Sequence, residues 1–285
     1  MLYKKTIAFL GAGSMAEAMI SGIVHSEKVP PKQVIVTNRN NVQRLKEMEK
    51  KYGVSVAQRE TVGLKEIDIV ILAMKPKDID QALLSIKNDI HPNTLILSVL
   101  AGITTSYIEQ HLHPGQQVIR VMPNTSSMIG ESATAISSGT NTSFEQVKLA
   151  IELLQTIGEV FVINEEKMDI FTGIAGSGPA YFYYLMEHME KVGAENGLDP
   201  ETSRQIIAQT IVGAAKMIQE QDETPKVLRE NVTSPNGTTA AGLKALDLNG
   251  GGIAISEAVK SASARSKEIS AQLQGEAAVK KIKAI

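Results

Sequence analysis

The chain has 285 residues, 43% of them hydrophobic, which is enough for one large core or two smaller ones. A net charge of −2, from 29 basic and 31 acidic residues, disfavours a nucleic-acid groove, so no nucleic-acid partner is expected. The lack of cysteine excludes disulfides, thiolate catalysis and cysteine–zinc sites; with no signal-peptide pattern and no apolar run of membrane-spanning length, the expectation is a cytoplasmic protein with no membrane segment.

Residues 6–10 (TIAFL) are a mostly apolar run, expected to form a buried strand. Gly11-Ala12-Gly13-Ser14-Met15-Ala16 follows, then an apolar helical stretch to residue 24. A second apolar run over 33–37 comes after a Pro-Pro break. Strand, glycine turn, helix and strand open a dinucleotide-binding fold. Gly11 permits the tight turn, Gly13 lets a pyrophosphate approach the backbone, and Ala16 is small enough for the helix to pack on the strand. The helix N-terminus offers N–H groups and a positive dipole end to phosphates. An ordinary tight turn could use the same residues, but their place between strand and helix favours a cofactor.

The second strand ends in Asn38-Arg39, where the adenine ribose usually lies. An acidic residue there would bind the 2′-hydroxyl of NAD, yet neither Asp nor Glu occurs between Gln33 and Lys46. Arg39 is therefore assigned to the 2′-phosphate of NADP, with Asn38 as a hydrogen-bond donor beside it. NADPH is the expected cofactor, with NADH possible. The alternative is a solvated arginine at a strand end.

Residues 41–52 read as an amphipathic helix with Val42, Leu45 and Met48 on one side, and 53–56 as a short strand. The apolar run 67–73 fits a parallel strand covered on both faces, and it leads into Met74-Lys75-Pro76 and a helix over 77–86. Loops at the carboxyl ends of such strands bind ligands, so Lys75 is placed near the cofactor or, equally, on the surface. Strand 94–100 ends in Ala101-Gly102, small enough for a nicotinamide ribose to come close. A helix over 104–111, strands over 117–122, 133–136 and 159–163, and a helix over 144–156 complete a dinucleotide-binding domain over 1–165.

From residue 167 onward only helical patterns occur, which sets the second domain at 166–285. Expected helices cover 179–195, 200–221, 224–232, 240–248 and 253 to the C-terminus, where Lys280, Lys281 and Lys283 form a solvated end. Ile206, Ile207, Ile211, Val212 and Ile218 exceed what a thin surface helix needs, which suggests burial against a partner subunit.

The 11–16 turn, Ala73-Met74-Lys75-Pro76, Ala101-Gly102, Arg120-Val121-Met122-Pro123-Asn124-Thr125, Gly176-Ser177-Gly178-Pro179-Ala180-Tyr181 and the run 232–240 (VTSPNGTTA) follow one another in a specific order and spacing. Together they resemble the pyrroline-5-carboxylate reductase family over nearly the whole chain. The resemblance implies an α/β N-terminal Rossmann-type domain with a mostly parallel sheet, followed by an all-α C-terminal dimerisation domain. It implies NAD(P)H-dependent reduction of L-1-pyrroline-5-carboxylate to L-proline, the last step of proline biosynthesis, by a homo-oligomer built from dimers. Either a homodimer or a decamer fits the family. Carried over, residues 11–16, Asn38, Arg39, 73–76, Ala101 and Gly102 line the cofactor, and Asn231 lies near the nicotinamide ribose. Ser234, Gly237, Thr238 and Thr239 hold the substrate, and Glu165 lies close to it. Two positions depart from the family pattern: Ala175 replaces a serine, removing one hydroxyl, and Asn236 replaces a glycine, which Asn tolerates better than most residues.

The substrate is a small cyclic imine carboxylate. Hydride must reach its imine carbon while the ring nitrogen is hydrogen-bonded, a role that the Thr239 hydroxyl can fill without a strong general acid. The turn over 233–239 offers hydroxyls and N–H groups to the carboxylate, although a plain helix cap has the same composition. Ser177 is a weaker contact candidate, and Tyr181 reads as packing. His25, His91, His111, His113 and His188 lack a ligand arrangement, so no metal is expected, and His111 with His113 is placed in a solvated turn. One rival is a β-hydroxyacid-dehydrogenase-type enzyme, which uses a lysine in the first interdomain helix region; none occurs between Phe171 and Glu190. The other is a non-catalytic NADP-sensing module.

Overall fold

The computed structural model describes residues 2–59 and 61–283, with side chains as far as residue 272. The side chains of Lys280, Lys281 and Lys283 lie outside the described residues. The chain packs as two compact units: residues up to 176 together with those from 261 onward, and residues 177–260.

The first unit is an eight-stranded sheet with helices on both faces. Its strands are β1 Ile7–Leu10, β2 Val34–Asn38, β3 Ser55–Gln58, β4 Ile69–Leu72, β5 Leu95–Ser98, β6 Gln117–Met122, β7 Ser132–Ser138 and β8 Gly158–Val162. Its helices include α1 Ser14–His25, α2 Val42–Tyr52, α3 Ile79–Ile86, α4 Thr105–His111 and α5 Phe144–Leu154. The order is β3-β2-β1-β4-β5-β6-β7-β8. Pairing is parallel throughout except between β6 and β7, so β7 and β8 run against the rest. The mostly parallel Rossmann-type sheet is the expected one.

Alternation along each strand explains the two cores. Ile7, Phe9, Ile69 and Ile71 join residues of α1, α2 and α5 on one face, whereas Ala8, Leu10, Val70 and Leu72 join α3 and α4 on the other. Each fully buried Ile, Leu or Phe contributes ~1.5–3 kcal/mol. In α2 the buried residues are Leu45, Met48 and Tyr52, while Val42 is 51% exposed. The stripe thus begins one turn later than its spacing suggests, because Val42 is the first helical residue and Asn41 caps from outside, accepting from the Arg44 N–H.

After β8 come α6, Met168–Phe171, and a π-helical turn, Thr172–Gly176. The Gly-Ser-Gly-Pro stretch therefore continues the chain into α7, Gly178–Glu195, through a widened turn. The remaining helices are α8 Pro200–Glu220, α9 Pro225–Asn231, α10 Thr238–Leu248 and α11 Gly251–Lys283. Asp199 and Thr224 cap α8 and α9 with their side chains, and Pro stands at the first position of each. Within the second unit, α7 and α8 are joined by Arg204, which donates to Glu190 at 2.8 Å. They cross so closely at Gly193 that a Cβ there would lie 2.7 Å from Ser203 Oγ. Only Ile207 of the expected α8 apolar residues is buried; Ile206, Val212 and Ile218 are exposed, as are Phe182, Tyr183 and Tyr184 of α7.

Candidate active site

The strand order turns back between β1 and β4, and open α/β sheets bind ligands beside such a switch point. The glycine turn lies there. The Gly11 N–H donates to the Thr37 carbonyl at 3.1 Å, and the Ala73 N–H to the Leu10 carbonyl at 3.0 Å, so the β1 ladders run on past the strand ends. Gly11 has φ +125°, and a Cβ on it would sit 2.4 Å from the Ala73 carbonyl oxygen. Gly13 is the opposite case: it is exposed, and a Cβ would meet nothing within 4 Å. It caps α1 without any side-chain hydrogen bond, leaving the first-turn amides outward. Ala12 and Ala16 are buried, whereas Ser14 is exposed and Met15 is half-buried.

At the end of β2, Asn38 Oδ1 accepts from the Asn40 and Asn41 N–H groups, both at 3.2 Å. This leaves its amide nitrogen as the group able to donate outward. Arg39 is exposed, and its Nη1 donates to Gln81 Oε1 on α3 at 2.8 Å. The partner is neutral, so the guanidinium keeps its full charge for an anion.

Sequence reasoning missed Arg44. From α2 its Nε donates to the Ala12 carbonyl at 3.0 Å, and its Nη2 bonds Glu17 on α1. Glu17 also accepts from Lys51 Nζ and Tyr52 Oη, each at 2.9 Å. The Arg44 hydrogen bond, followed by that of Lys51, holds the Glu17 carboxyl at about 2, against the opposing pull of burial. A basic residue at the Asn41+3 position is the one local signal, but it also describes a helix surface.

Beyond β4, Ala73 and Met74 pack against the two cores, Lys75 is exposed, and Pro76 opens a 3₁₀ turn before α3. After β5, Ala101 is exposed between buried Leu100 and Gly102. The start of α4, three residues on, is held by Glu165: the Thr105 N–H donates to Oε1 at 2.9 Å and the Thr105 hydroxyl to Oε2 at 2.8 Å. Arg120 of β6 reaches the same carboxylate at 3.4 Å; its side chain is 5% exposed, and its Nε and Nη2 have no hydrogen-bond partner among the described residues. Asn124 Nδ2 donates to the Ala175 carbonyl at 3.1 Å, joining two of the motifs noted in the sequence. That bond uses the backbone, so the missing serine hydroxyl at 175 does not affect it. His111 is the half-buried last residue of α4 rather than part of a solvated turn: Nδ1 is 2.7 Å from the Tyr107 carbonyl, and the two rings lie 4.4 Å apart.

In the second unit, Asn231 ends α9 and is exposed. The Thr233 hydroxyl donates to the Arg229 carbonyl at 2.6 Å and so closes α9. Asn236 has φ +61°, the left-handed conformation that a glycine would adopt freely. The Gly237 N–H donates to the Ser234 carbonyl at 3.0 Å, and Gly237 caps α10 with no side-chain bond. Helix α10 begins at Thr238, two residues earlier than its spacing suggests, so Thr238 and Thr239 stand in the first turn. Ser234 and Thr238 are exposed and Thr239 is half-buried. The turn thus presents the hydroxyls of Ser234, Thr238 and Thr239 and the first-turn amides of α10, while two of its groups, the Thr233 hydroxyl and the Gly237 N–H, are already engaged. Among the described residues, no group of three or more His, Asp or Glu is placed to hold a metal ion. No helix among them is long and apolar enough to cross a membrane.

A switch-point glycine turn before an uncapped helix, with a separate helical unit carrying a hydroxyl-rich cap, defines a Rossmann-type dinucleotide-dependent oxidoreductase. A family model described as NADP oxidoreductase, coenzyme F420-dependent, matches residues 6–102, and one for pyrroline-5-carboxylate reductase dimerisation matches residues 165–269. Pyrroline-5-carboxylate reductase 1 of Bacillus subtilis is 60% identical over 275 residues, covering 96% of this chain and 93% of its own. The Methanosarcina acetivorans pyrroline-5-carboxylate reductase is 37% identical, over 92% of this chain and 97% of its own. The crystal structure of Plasmodium falciparum pyrroline carboxylate reductase with NADP bound superposes with a TM-score of 0.85 at 27% identity, over 95% of this chain and 100% of that one. The chain belongs to the pyrroline-5-carboxylate reductase family, enzymes that reduce pyrroline-5-carboxylate to proline.

Proposed function

We propose that the chain reduces L-1-pyrroline-5-carboxylate with NADPH, and that the residues below hold the two ligands. The observation that carries the cofactor assignment is the contrast within the glycine turn: Gly11 is closed against the Ala73 backbone, whereas Gly13 opens onto free space before an uncapped helix. Residues 11–16 receive the pyrophosphate on the first amides of α1, and Asn38 and Arg39 receive the 2′-phosphate. Residues 73–76, Ala101 and Gly102 follow the nicotinamide half, and Asn231 belongs to the same set. When bound, the nicotinamide supplies the hydride.

The protein's own work is to bind, orient and polarise the imine. The hydroxyl of Ser234 and the amides of Thr238 and Thr239 hold its carboxylate at the α10 N-terminus, where the helix dipole favours an anion. Gly237 keeps that approach clear of any side chain. The Thr239 hydroxyl bonds the ring nitrogen and keeps the C=N bond polarised as its carbon accepts hydride. Glu165 enters as a residue near the substrate that acts by fixing the start of α4, since its carboxylate is committed to Thr105 and Arg120. A homo-oligomer built from dimers belongs to the same reading, supported by the exposed apolar side chains of α7 and α8 and by the dimerisation-model match. So does a cytoplasmic location, supported by a mean hydropathy of −0.04 with 21% charged residues.

The test is NADPH absorbance decay with pyrroline-5-carboxylate, run beside NADP-dependent oxidation of 3-hydroxy acids. Thr239→Ala is expected to lower kcat/KM more than tenfold, or ~1.4 kcal/mol. Unchanged kinetics would remove Thr239 from the mechanism. Tight NADPH binding with no turnover would favour the sensing module instead.

A further inference from the structure

We propose that Arg44 is a positioning residue for the cofactor: anchored on the Ala12 carbonyl, it shields the glycine turn from the negative charge of Glu17. The inference rests on the reading that residues 11–16 receive the pyrophosphate. Glu17 stands in the first turn of α1, and its N–H donates to the Gly13 carbonyl at 2.9 Å. A carboxylate there suits a helix N-terminus in an empty protein. It opposes an anionic ligand that must use the same terminus. Its side chain is only 15% exposed, so water screens it weakly.

The geometry supplies the counter-charge. Arg44 is 25% exposed and reaches back from α2 with two of its nitrogens, Nε to the carbonyl of Ala12 and Nη2 to Glu17. Its Nη1 lies 3.5 Å from Glu47, which is 52% exposed and therefore a weak competitor. Lys51 and Tyr52, on the last turn of the same helix, take the other Glu17 oxygen. Helix α2 therefore neutralises the acid on the preceding helix, α1, and holds the loop between Gly11 and Gly13. Lysine could supply the charge but not the planar fork that serves both oxygens at once.

The test is the KM for NADPH, with kcat at saturating NADPH, in a charge cycle. Arg44→Gln is expected to raise KM about three- to tenfold with kcat within about twofold of wild type. Glu17→Gln is expected to lower KM, because it leaves the Arg44 charge unopposed. Arg44→Gln/Glu17→Gln is expected to return KM to within about twofold of wild type, and Arg44→Lys is expected to recover part of the loss. An unchanged KM in Arg44→Gln overturns the proposal. So does an equal rise with and without Glu17, which would leave only a structural role for Arg44. Gly13→Ala separates the two levels of inference: if it raises KM and Arg44→Gln does not, the shielding role alone fails. If neither raises KM, the assignment of the turn to the pyrophosphate fails with it.

Discussion

Gly11 and Gly13 are two residues apart, and alanine at each should damage different properties. Gly11 combines φ +125° with a Cβ position 2.4 Å from the Ala73 oxygen and 2.6 Å from its carbon. Both obstacles are backbone, so no side chain can swing away. The conformation alone costs ~1–3 kcal/mol in an L residue, and the displaced strand end adds to it, giving roughly 3 kcal/mol or more. At ~2–4 °C per kcal/mol for a unit of this size, Gly11→Ala should lower Tm by about 6–12 °C. Gly13 has φ −75° and ψ −178°, which alanine adopts readily, and free space around its Cβ. Losing a glycine cap costs ~0.5–1 kcal/mol, offset by ~0.4–1 kcal/mol from a stiffer unfolded chain. Gly13→Ala should therefore melt within a few degrees of wild type while its KM for NADPH rises about tenfold or more, because the new methyl occupies the phosphate approach. Thermal melts and initial rates across an NADPH titration read both effects. A Gly13→Ala protein that melts as early as Gly11→Ala with an unchanged KM would refute the division of labour.

Three further outcomes follow from the site. Arg39→Ala should raise KM for NADPH about tenfold and that for NADH less than twofold, since only NADPH carries the 2′-phosphate; equal changes would make Arg39 a surface residue. Glu165→Gln should destabilise the fold by ~3 kcal/mol, because Arg120 is 5% exposed and loses its carboxylate partner. Arg120→Met should cost less, about 1–2 kcal/mol, because Glu165 is 26% exposed and keeps its Thr105 bonds; urea midpoints in the reverse order would contradict this. For Glu17, the folded value of about 2 lies below the ordinary 4.5, so the ionised group stabilises the fold above pH 4.5. That stabilisation, ~1–2 kcal/mol because the Lys51 partner is 61% exposed, is lost as pH falls from about 4.5 toward 2. Glu17→Gln should flatten the stability curve in that window, as followed by chemical denaturation at stepped pH.

The strands were legible because parallel strands covered on both faces must be continuously apolar, as in residues 69–72 and 95–97. The glycine turn was legible as a pattern, but the carbonyl that enforces glycine at position 11 belongs to Ala73, far away in sequence. The left-handed backbone at Asn236 was also readable, because the replaced residue is a glycine in a family pattern. What could not be read depended on long-range partners. Arg44 resembles any helix-surface arginine until α1 is beside it. Glu165 finds its partners 60 and 45 residues back, at Thr105 and Arg120. Nothing in the Gly-Ser-Gly-Pro stretch announces the π turn Thr172–Gly176 that leads into it; only the backbone shows it. The Thr233 hydroxyl reads in sequence as one more group for the anion site, whereas in the fold it closes α9.

The left-handed Asn236 also carries a chemical liability. It is exposed and followed by Gly237, and an asparagine–glycine step, which also occurs at Asn196-Gly197 and Asn249-Gly250, is prone to spontaneous loss of ammonia. Ring closure onto the glycine nitrogen and hydrolysis would leave an aspartate or isoaspartate beside the α10 N-terminus. An aged preparation would then carry a new negative charge where the substrate's own carboxylate is proposed to bind. Storage would then weaken substrate affinity while leaving the fold intact.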